Sequence, residues 1–108
     1  MPHVIGKVDD RYFVFSTVVD APITRLMTKA EFEEYYRKEY GTVGLKELVP
    51  RLERTDAKGT SSHLYDSFEE MVCCNRYGDG EETLTRDEFI SQLKRETEEI
   101  IASELEDA

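Results

Sequence analysis

The chain has 108 residues, of which 24 are acidic and 14 are basic, so its formal net charge at pH 7 is -10. This charge disfavours direct binding to nucleic acid or to an anionic membrane surface, because phosphate contacts require Lys and Arg. We expect one domain over 1–108 with a modest core, a cytoplasmic location, no membrane association, and a protein partner with a basic surface.

Two runs of strand-favouring residues open the chain, at 3–8 and 11–19. The Asp-Asp dipeptide between them suits a two-residue hairpin turn, which would place Gly6 opposite Phe13, where the ring compensates for the missing side chain. Side chains alternate between two faces along each strand, so two sets are predicted, with Val4, Val8, Phe13 and Phe15 on one face and Ile5, Tyr12 and Val14 on the other. The second run is apolar on both faces and should be the central strand.

A third short strand is predicted at 23–27, after a turn that contains proline. The following helix carries its own start and stop signals, because Thr28 and Glu31 can form a capping box and Gly41 offers a left-handed C-cap. We therefore predict a helix at 29–40. Its aromatic stripe, which would cover the sheet, consists of Phe32, Tyr35, Tyr36 and Tyr40.

The middle of the chain carries weaker helical signals. An apolar helical spacing over 45–52 contains Pro50, which predicts a kink or two short turns. The stretch 55–62 is rich in Gly, Thr and Ser and is predicted to be the loop that joins the two halves. A further amphipathic segment over 64–75 predicts another helix.

The last helix repeats the start signals of the first. Both starts place a staple residue, a Thr cap, a Glu and a Phe at the same spacing, in Met27-Thr28-x-x-Glu31-Phe32 and in Leu84-Thr85-x-x-Glu88-Phe89. We expect the first half of the last helix to pack on the domain. The stretch 98–108 is acidic and contains no base, which opposes the helix dipole, so this end is predicted to fray; pairing with a second copy in a homodimer is an alternative.

These elements predict an α+β fold. A small three-stranded antiparallel sheet, within a β-rich part at 3–27, would pack against three to four α-helices from a helical part at 28–106. The acidic, glycine-containing loop before the last helix holds Tyr77, the aromatic residue that we expect outside the core. Tyr77, Asp79, Glu81 and Glu82 form the predicted partner-binding patch. An EF-hand site is disfavoured in this loop because no register aligns its glycine with its ligands.

The sulfur and imidazole side chains do not form an evident site. Cys73, Cys74, His63 and His3 are too few and too poorly spaced for a zinc site, so we predict no metal and no cofactor. A nucleophilic pair of Cys74 and His63 lacks an identifiable orienting group and oxyanion donor, and we predict no catalytic residue. Adjacent cysteines agree with a reducing compartment, and we expect them to behave as small buried side chains.

Four strings of the sequence resemble those of small uncharacterised proteins encoded by phages and prophages, namely Ser16–Thr24, Glu33–Gly41, Gly59–Ser62 and Asn75–Glu81. The resemblance implies a bacterial cytoplasm during phage carriage or infection, and it transfers no site residue. Within that setting we predict a small acidic, non-enzymatic protein-binding module, in its specific form an inhibitor of a host nucleic-acid-binding defence protein. The alternatives are a hydrolase-like enzyme that uses Cys74 and His63, and a homodimeric structural accessory protein.

Overall fold

The structure is a computed structural model and describes residues 3–106. One antiparallel sheet has the strand order β1-β2-β3, with β1 at His3–Val8, β2 at Arg11–Ser16 and β3 at Ala21–Pro22. The helices are α1 at Lys29–Lys58, α2 at Phe68–Val72 and α3 at Arg86–Glu106, and a 3-10 turn at Asp79–Glu81 precedes α3. The predicted α+β fold, a three-stranded antiparallel sheet with three helices, is confirmed.

The register of the first hairpin is the one that the sequence predicts. Gly6 pairs with Phe13, and Val8 pairs with Arg11 across the turn. A Cβ atom placed on Gly6 would lie 2.5 Å from Phe13 Cζ, so a side chain at position 6 would displace the ring. Asp9 has a φ of 57°, the left-handed conformation that two-residue hairpin turns require and that Asp tolerates.

The central strand β2 buries side chains on both faces of the sheet. Tyr12 and Val14 face α1, whereas Phe13 and Phe15 face α2 and α3. The α1-side core consists of Ile5, Tyr12, Val14, Met27, Phe32, Tyr36, Leu48 and Leu52. The α3-side core consists of Val8, Phe13, Phe15, Leu26, Phe68, Met71, Val72, Phe89 and Leu93. The sheet is therefore the middle of three layers, and the predicted division of its two faces is correct.

The third strand is shorter and lies earlier than predicted. β3 comprises two residues, and the segment 23–27 joins β2 mainly at its ends: Ile23 N donates to Val14 O at 2.9 Å, and Met27 and Tyr12 exchange two backbone hydrogen bonds of 2.8 Å. Between these ends, the Thr24 hydroxyl accepts the amide of Val14 at 2.9 Å. A side chain thus replaces a backbone carbonyl, and the ladder is interrupted.

Helix α1 begins as predicted, and its first helical segment is interrupted at Gly41, where the sequence predicts its end. Thr28 Oγ1 accepts Glu31 N at 3.2 Å, and Thr28 N donates to Glu31 Oε1 at 2.9 Å, which completes the capping box. Gly41 leaves the helical conformation with φ 71° and ψ -165°, yet helical backbone resumes at once. Gly41 therefore breaks the helix and redirects it instead of capping it.

The kink predicted at Pro50 is wrong. The backbone around Pro50 stays helical, and helical structure continues to Lys58. Proline removes one helical hydrogen bond, but Leu48 and Leu52 on either side of it are buried in the α1-side core. Their packing on the sheet holds the helix together through the proline.

The predicted loop at 55–62 is in fact a helix end followed by a strand-like segment. Gly59 caps α1 in the left-handed conformation, with φ 87°. The chain then follows the outer edge of β1: Gly59 O accepts Lys7 N at 3.2 Å, Ser61 N donates to Ile5 O at 2.9 Å, and Ser61 Oγ accepts Ile5 N at 2.8 Å. An edge strand has unpaired backbone groups, and this segment satisfies them.

The helix predicted at 64–75 is confined to α2. Ser67 caps α2 at its start, and Leu64, before this cap, is 88% exposed. The helix is short because the Ser67 cap fixes its beginning and the chain turns away after Val72.

Helix α3 begins with the predicted capping box, in which Thr85 N donates to Glu88 Oε1 at 2.9 Å and Thr85 Oγ1 accepts Glu88 N at 3.2 Å. Its first half packs as expected, because Phe89, Leu93 and Thr97 are buried. Every described residue from 98 onward is exposed. Residues 107–108 of the acidic end lie outside the described residues, and the fraying of this end stays a prediction.

Candidate protein-binding face

Tyr77 packs on the α3-side core, contrary to the expectation that it lies outside the core. Its ring centroid lies 5.1 Å from that of Phe89, its hydroxyl donates to the carboxylate of Glu96, and Gln92 Nε2 donates to Tyr77 O at 2.9 Å. Burial, followed by the hydrogen bond to Glu96, raises the pKa of Tyr77 well above its ordinary range. Tyr77 is therefore a fixed, neutral aromatic side chain with one edge at the surface.

Asn75 is the residue that brings Tyr77 to this position. Its side chain is fully buried, and it makes four hydrogen bonds to the backbone: Nδ2 donates to Val72 O at 2.6 Å and to Leu84 O at 2.9 Å, and Oδ1 accepts Tyr77 N at 3.2 Å and Leu84 N at 3.1 Å. These bonds close the loop between α2 and α3. Asn commonly bonds nearby backbone in this way, but the sequence pattern does not indicate that its partner is nine residues away.

The acidic members of the predicted patch lie at the surface, whereas Tyr77 is half-buried. Asp79, Glu81 and Glu82 are exposed, and within the described chain none of them pairs with a basic side chain. The same loop therefore packs its tyrosine inward on α3 and presents three free carboxylates to solvent. The four residues of the predicted patch therefore differ in environment: Tyr77 packs on the α3-side core, and the three acids face solvent.

A groove of about 190 Å³ lies between the β3 edge of the sheet and α3. Its lining comprises Pro22, Ile23, Thr24, Arg25, Tyr77, Leu93, Glu96 and Ile100. Ile23 and Ile100 remain 47% and 42% exposed, so the groove offers apolar side chains that this chain leaves largely uncovered. Pro22 lacks an amide proton, which limits strand addition along this edge.

The turn between β2 and β3, which precedes the groove residues Pro22 and Ile23 in the chain, exposes two further apolar side chains. Val18 and Val19 in this turn are 66% and 49% exposed. Arg76 ties the turn to the loop that carries Tyr77, since Arg76 N donates to Asp20 O at 2.8 Å and its guanidinium donates to Val18 O at 3.3 Å. We call the surface formed by Val18, Val19, Ile23, Tyr77 and Ile100 the groove face.

Carboxylates border the groove face. Glu96 lies in the groove itself, and the exposed end of α3 beyond it carries Glu98, Glu99, Glu104 and Glu106. Arginines at or beside the groove face pair with carboxylates, because Arg25 lies 3.2 Å from Glu31, Arg76 lies 3.3 Å from Asp20 and Arg95 lies 4.0 Å from Glu99. The chemistry of the face is therefore an apolar centre with a negative border.

The sequence pattern does not mark Ile23 or Ile100 as binding residues. Ile23 lies in the predicted third strand, and Ile100 lies in the apolar stripe of the last helix, which consists of Phe89, Ile90, Leu93, Ile100, Ile101 and Leu105. The available signal was that this stripe continues beyond Leu93 while the surrounding sequence becomes strongly acidic. That pattern is typical of a helix that extends past its own core.

The structure does not bring Cys74 and His63 together. His63 lines a cleft with Arg51 and Arg54, and neither cysteine is among the described residues that line it. Both cysteines are exposed, so their predicted burial is wrong, and the reason is that α2 ends at Val72 before reaching them. The hydrogen bond from Cys73 Sγ to Cys74 Sγ, 3.6 Å long, raises the pKa of Cys73, whereas an activated thiol requires a lowered pKa.

Comparison of the chain with models of protein families, with curated proteins and with solved structures found no match. Over residues 3–106, no helix combines the length and the apolar character that crossing a bilayer requires. The groove face combines exposed apolar side chains with Tyr77, a residue of the predicted patch.

Proposed function

We propose that the protein is a non-enzymatic binding module whose groove face holds a basic amphipathic segment of a partner protein. The observation that carries this proposal is the groove between Ile23 and Ile100, with exposed apolar side chains and a border of carboxylates. Buried apolar anchors in a pocket supply most of the affinity of a typical interface. Carboxylates around them favour a basic partner and accelerate its encounter.

The partner class that we propose is a nucleic-acid-binding protein of a bacterial host, such as a defence protein. The resemblance of the sequence to phage-encoded proteins supplies the setting. The net charge of -10, together with the exposed carboxylates of the loop and of the α3 end, would oppose nucleic acid and suit the basic surface on which nucleic acid binds. The protein would then act by covering that surface.

The role of the groove is tested in two steps: the wild-type protein captures a partner, and the affinity of that partner is then measured for substituted proteins. Tagged wild type is incubated with bacterial lysate, treated with nuclease, at low and moderate salt, and the retained protein is identified and then purified for calorimetry. We expect Ile23→Asn/Ile100→Asn to weaken binding at least ten-fold, while Val49→Asn, at an exposed valine of α1 (58% exposed), binds as wild type. Equal affinity of the groove variant and the wild type would contradict the proposal.

The contribution of the loop carboxylates is tested separately through the association rate. Asp79→Asn/Glu81→Gln/Glu82→Gln removes three charges from the loop next to the groove face. The matched control removes three exposed, unpaired acids from α1, as Glu33→Gln/Glu39→Gln/Glu47→Gln. If the loop carboxylates steer the partner, only the loop variant should associate more slowly and with a smaller salt dependence. Identical association rates for both variants would show that only the net charge matters, and would contradict steering by the loop.

A second candidate function is self-association through the end of α3. Ile100, Ile101 and Leu105 are 42%, 38% and 72% exposed on this end. An antiparallel pair would place the acidic end of one helix beside Lys94 and Arg95 of the other, which is favourable. Light scattering of the full chain over a range of concentrations, compared with Ile101→Ser/Leu105→Ser, tests this idea. A monomeric mass for the wild type at high concentration would exclude it.

A further inference from the structure

A cleft of about 310 Å³ lies on the other side of the molecule from the groove face. It is formed by the start of β1, the C-terminal part of α1 and the segment after the β1 edge, and its lining comprises His3, Val4, Arg51, Arg54, Ser61, Ser62, His63 and Leu64. Among the described residues that line it, none is acidic. In a chain with 24 acidic residues, this is a local reversal of the overall charge.

The two arginines of this cleft are held by neutral groups. Arg51 Nη1 donates to the Tyr36 hydroxyl at 3.0 Å, and Arg54 Nε donates to Ser61 O at 2.9 Å. Neither guanidinium lies within 4.0 Å of a carboxylate of the described chain, and both are half-buried. In contrast, five other arginines pair with carboxylates, namely Arg25, Arg37, Arg76, Arg86 and Arg95.

The cleft therefore holds unused hydrogen-bond donors. A guanidinium has five N–H donors, and Arg51 and Arg54 each use one of them, in the bonds to the Tyr36 hydroxyl and to Ser61 O. Ser62 Oγ accepts the amide of Leu64 at 3.0 Å and keeps its own proton to donate. His63 is exposed at the rim of the cleft, where its imidazole adds a further donor.

The positions of these donors are fixed by the fold. Arg51 and Arg54 lie three residues apart on one face of α1, a spacing that places side chains side by side. Ser61 is anchored by its hydrogen bonds to Ile5, so the wall opposite the arginines is tied to the sheet. Preorganised donors lose little entropy when a ligand binds.

We propose that this cleft binds a small anion that carries a phosphate group, held by the guanidiniums of Arg51 and Arg54 with His63 as a third donor. The planar fork of a guanidinium matches two phosphate oxygens at once. The size of the cleft suits inorganic phosphate or a small phosphomonoester. The overall charge of -10 opposes a polyanion such as nucleic acid. The proposal shares no residue with the groove face and does not depend on its function.

Binding is tested on the full chain by nuclear magnetic resonance. The Nε–H signal of Arg54 and the amide signals of 61–64 are followed during titration with sodium phosphate, glycerol phosphate or sodium acetate, with ionic strength held constant by sodium chloride. We expect saturable shifts with phosphate, with a dissociation constant on the order of 1 mM or tighter, and weaker shifts with acetate. Tighter binding of glycerol phosphate would identify an ester as the ligand class, and equal binding would identify the free ion. Shifts that stay linear, or that chloride reproduces, would overturn the proposal.

Substitutions separate a built site from general attraction. Arg51→Gln should weaken phosphate binding about ten-fold, and His63→Gln, at an exposed position, should weaken it a few-fold without disturbing the fold. Arg95→Gln, which removes one positive charge from α3, is the matched control and should bind as wild type. Because Arg54 also anchors Ser61 O, Arg54→Gln is interpreted only after thermal unfolding shows a native fold. Wild-type affinity in both Arg51→Gln and His63→Gln would refute the site.

Discussion

The cores on the two sides of the sheet each receive a helix that begins with a capping box, but the side chains that surround the central phenylalanine differ. Each is centred on the phenylalanine that follows a capping box, Phe32 on the α1 side and Phe89 on the α3 side, and both side chains are fully buried. The neighbours differ in kind: Phe32 contacts the rings of Tyr12, Tyr35 and Tyr36, whereas Phe89 contacts those of Phe13, Phe15, Phe68 and Tyr77. One core is edged with tyrosine hydroxyls, and the other is built mainly of hydrocarbon.

The two cores also differ in where their side chains form hydrogen bonds. On the α1 side, the Tyr12 hydroxyl donates to Asp56 Oδ1 at 2.6 Å, near the surface. On the α3 side, polar atoms are buried: Thr97 Oγ1 donates to Leu93 O at 2.7 Å and accepts Leu26 N at 3.0 Å, across 71 residues of sequence. The Tyr12–Asp56 pair should therefore add a pH dependence on the α1 side, and the loss of a single buried polar group should cost more on the α3 side.

The largest expected effect is the loss of Phe89. We expect Phe89→Ala to lower the free energy of unfolding by about 5 kcal/mol and Phe32→Ala by about 3 kcal/mol, within the range for buried Phe, because Phe89 joins β2, α2, α3 and the loop that carries Tyr77. Urea unfolding followed by circular dichroism measures both. If Phe89→Ala does not fold, the milder pair Phe89→Leu and Phe32→Leu gives the same ranking. An equal or larger loss at Phe32 would show that the two cores do not differ in this way.

The second effect concerns buried polar groups. Asn75→Ala should cost about 2 to 3 kcal/mol, because it removes four hydrogen bonds between a fully buried side chain and the backbone of Val72, Tyr77 and Leu84. Thr55→Ala is the control on the α1 side, since Thr55 is also fully buried but donates only to Arg51 O within its own helix, and we expect a loss of about 1 kcal/mol or less. Faster hydrogen exchange of the Leu84 amide in Asn75→Ala would locate the damage. Similar losses in the two variants would argue against a special role for Asn75.

The features that the sequence predicts correctly depend on residues close in the chain. The Gly6–Phe13 pairing follows from a two-residue turn, and both capping boxes follow from a Thr and a Glu three residues apart. The α1-side core is largely of this kind, because β2, Met27 and the start of α1 are neighbours in sequence. Short spacing carries enough information for such contacts.

The features that the sequence does not predict depend on distant residues. The Thr24 hydroxyl replaces a ladder carbonyl, Ser61 pairs with β1 across 56 residues, and the partner of Asn75 lies beyond a loop. The groove face is of the same kind, since Ile23 and Ile100 belong to elements at opposite ends of the chain. No spacing of residues within either element indicates that Ile23 and Ile100 line the same groove.

The third effect is a pH dependence to which the α1 side contributes through the pair of Tyr12 and Asp56. Burial and the hydrogen bond to Asp56 raise the pKa of Tyr12 to about 12, and the same hydrogen bond is the main cause that lowers the pKa of Asp56. A raised Tyr pKa contributes stability that is complete below the unfolded value of about 10 and is lost as the pH rises through about 12. A lowered Asp pKa contributes stability that is present above about pH 4 and is lost as the pH falls through the folded value.

Tyr12→Phe tests this dependence. It should lower the free energy of unfolding by about 1 kcal/mol at pH 7 and flatten the decline at both ends of the pH profile, as measured by urea midpoints. The alkaline decline that remains would come from other tyrosines with a raised pKa, with Tyr77 on the α3 side foremost. Tyr12→Phe/Tyr77→Phe should flatten it further. A profile of Tyr12→Phe parallel to that of the wild type would show that the pair with Asp56 does not contribute.

The smallest effect is expected where neither core is involved. Cys73 and Cys74 are exposed and belong to neither core, so Cys73→Ser and Cys74→Ser should change the free energy of unfolding by no more than about 0.5 kcal/mol. Both thiols should react with a chromogenic disulfide reagent in the folded protein, and Cys73 should react more slowly than a free thiol because its raised pKa leaves less thiolate. Protection of either thiol until unfolding, or a loss above about 1 kcal/mol on substitution, would instead place it in the α3-side core, where Cys73 directly follows the buried Val72.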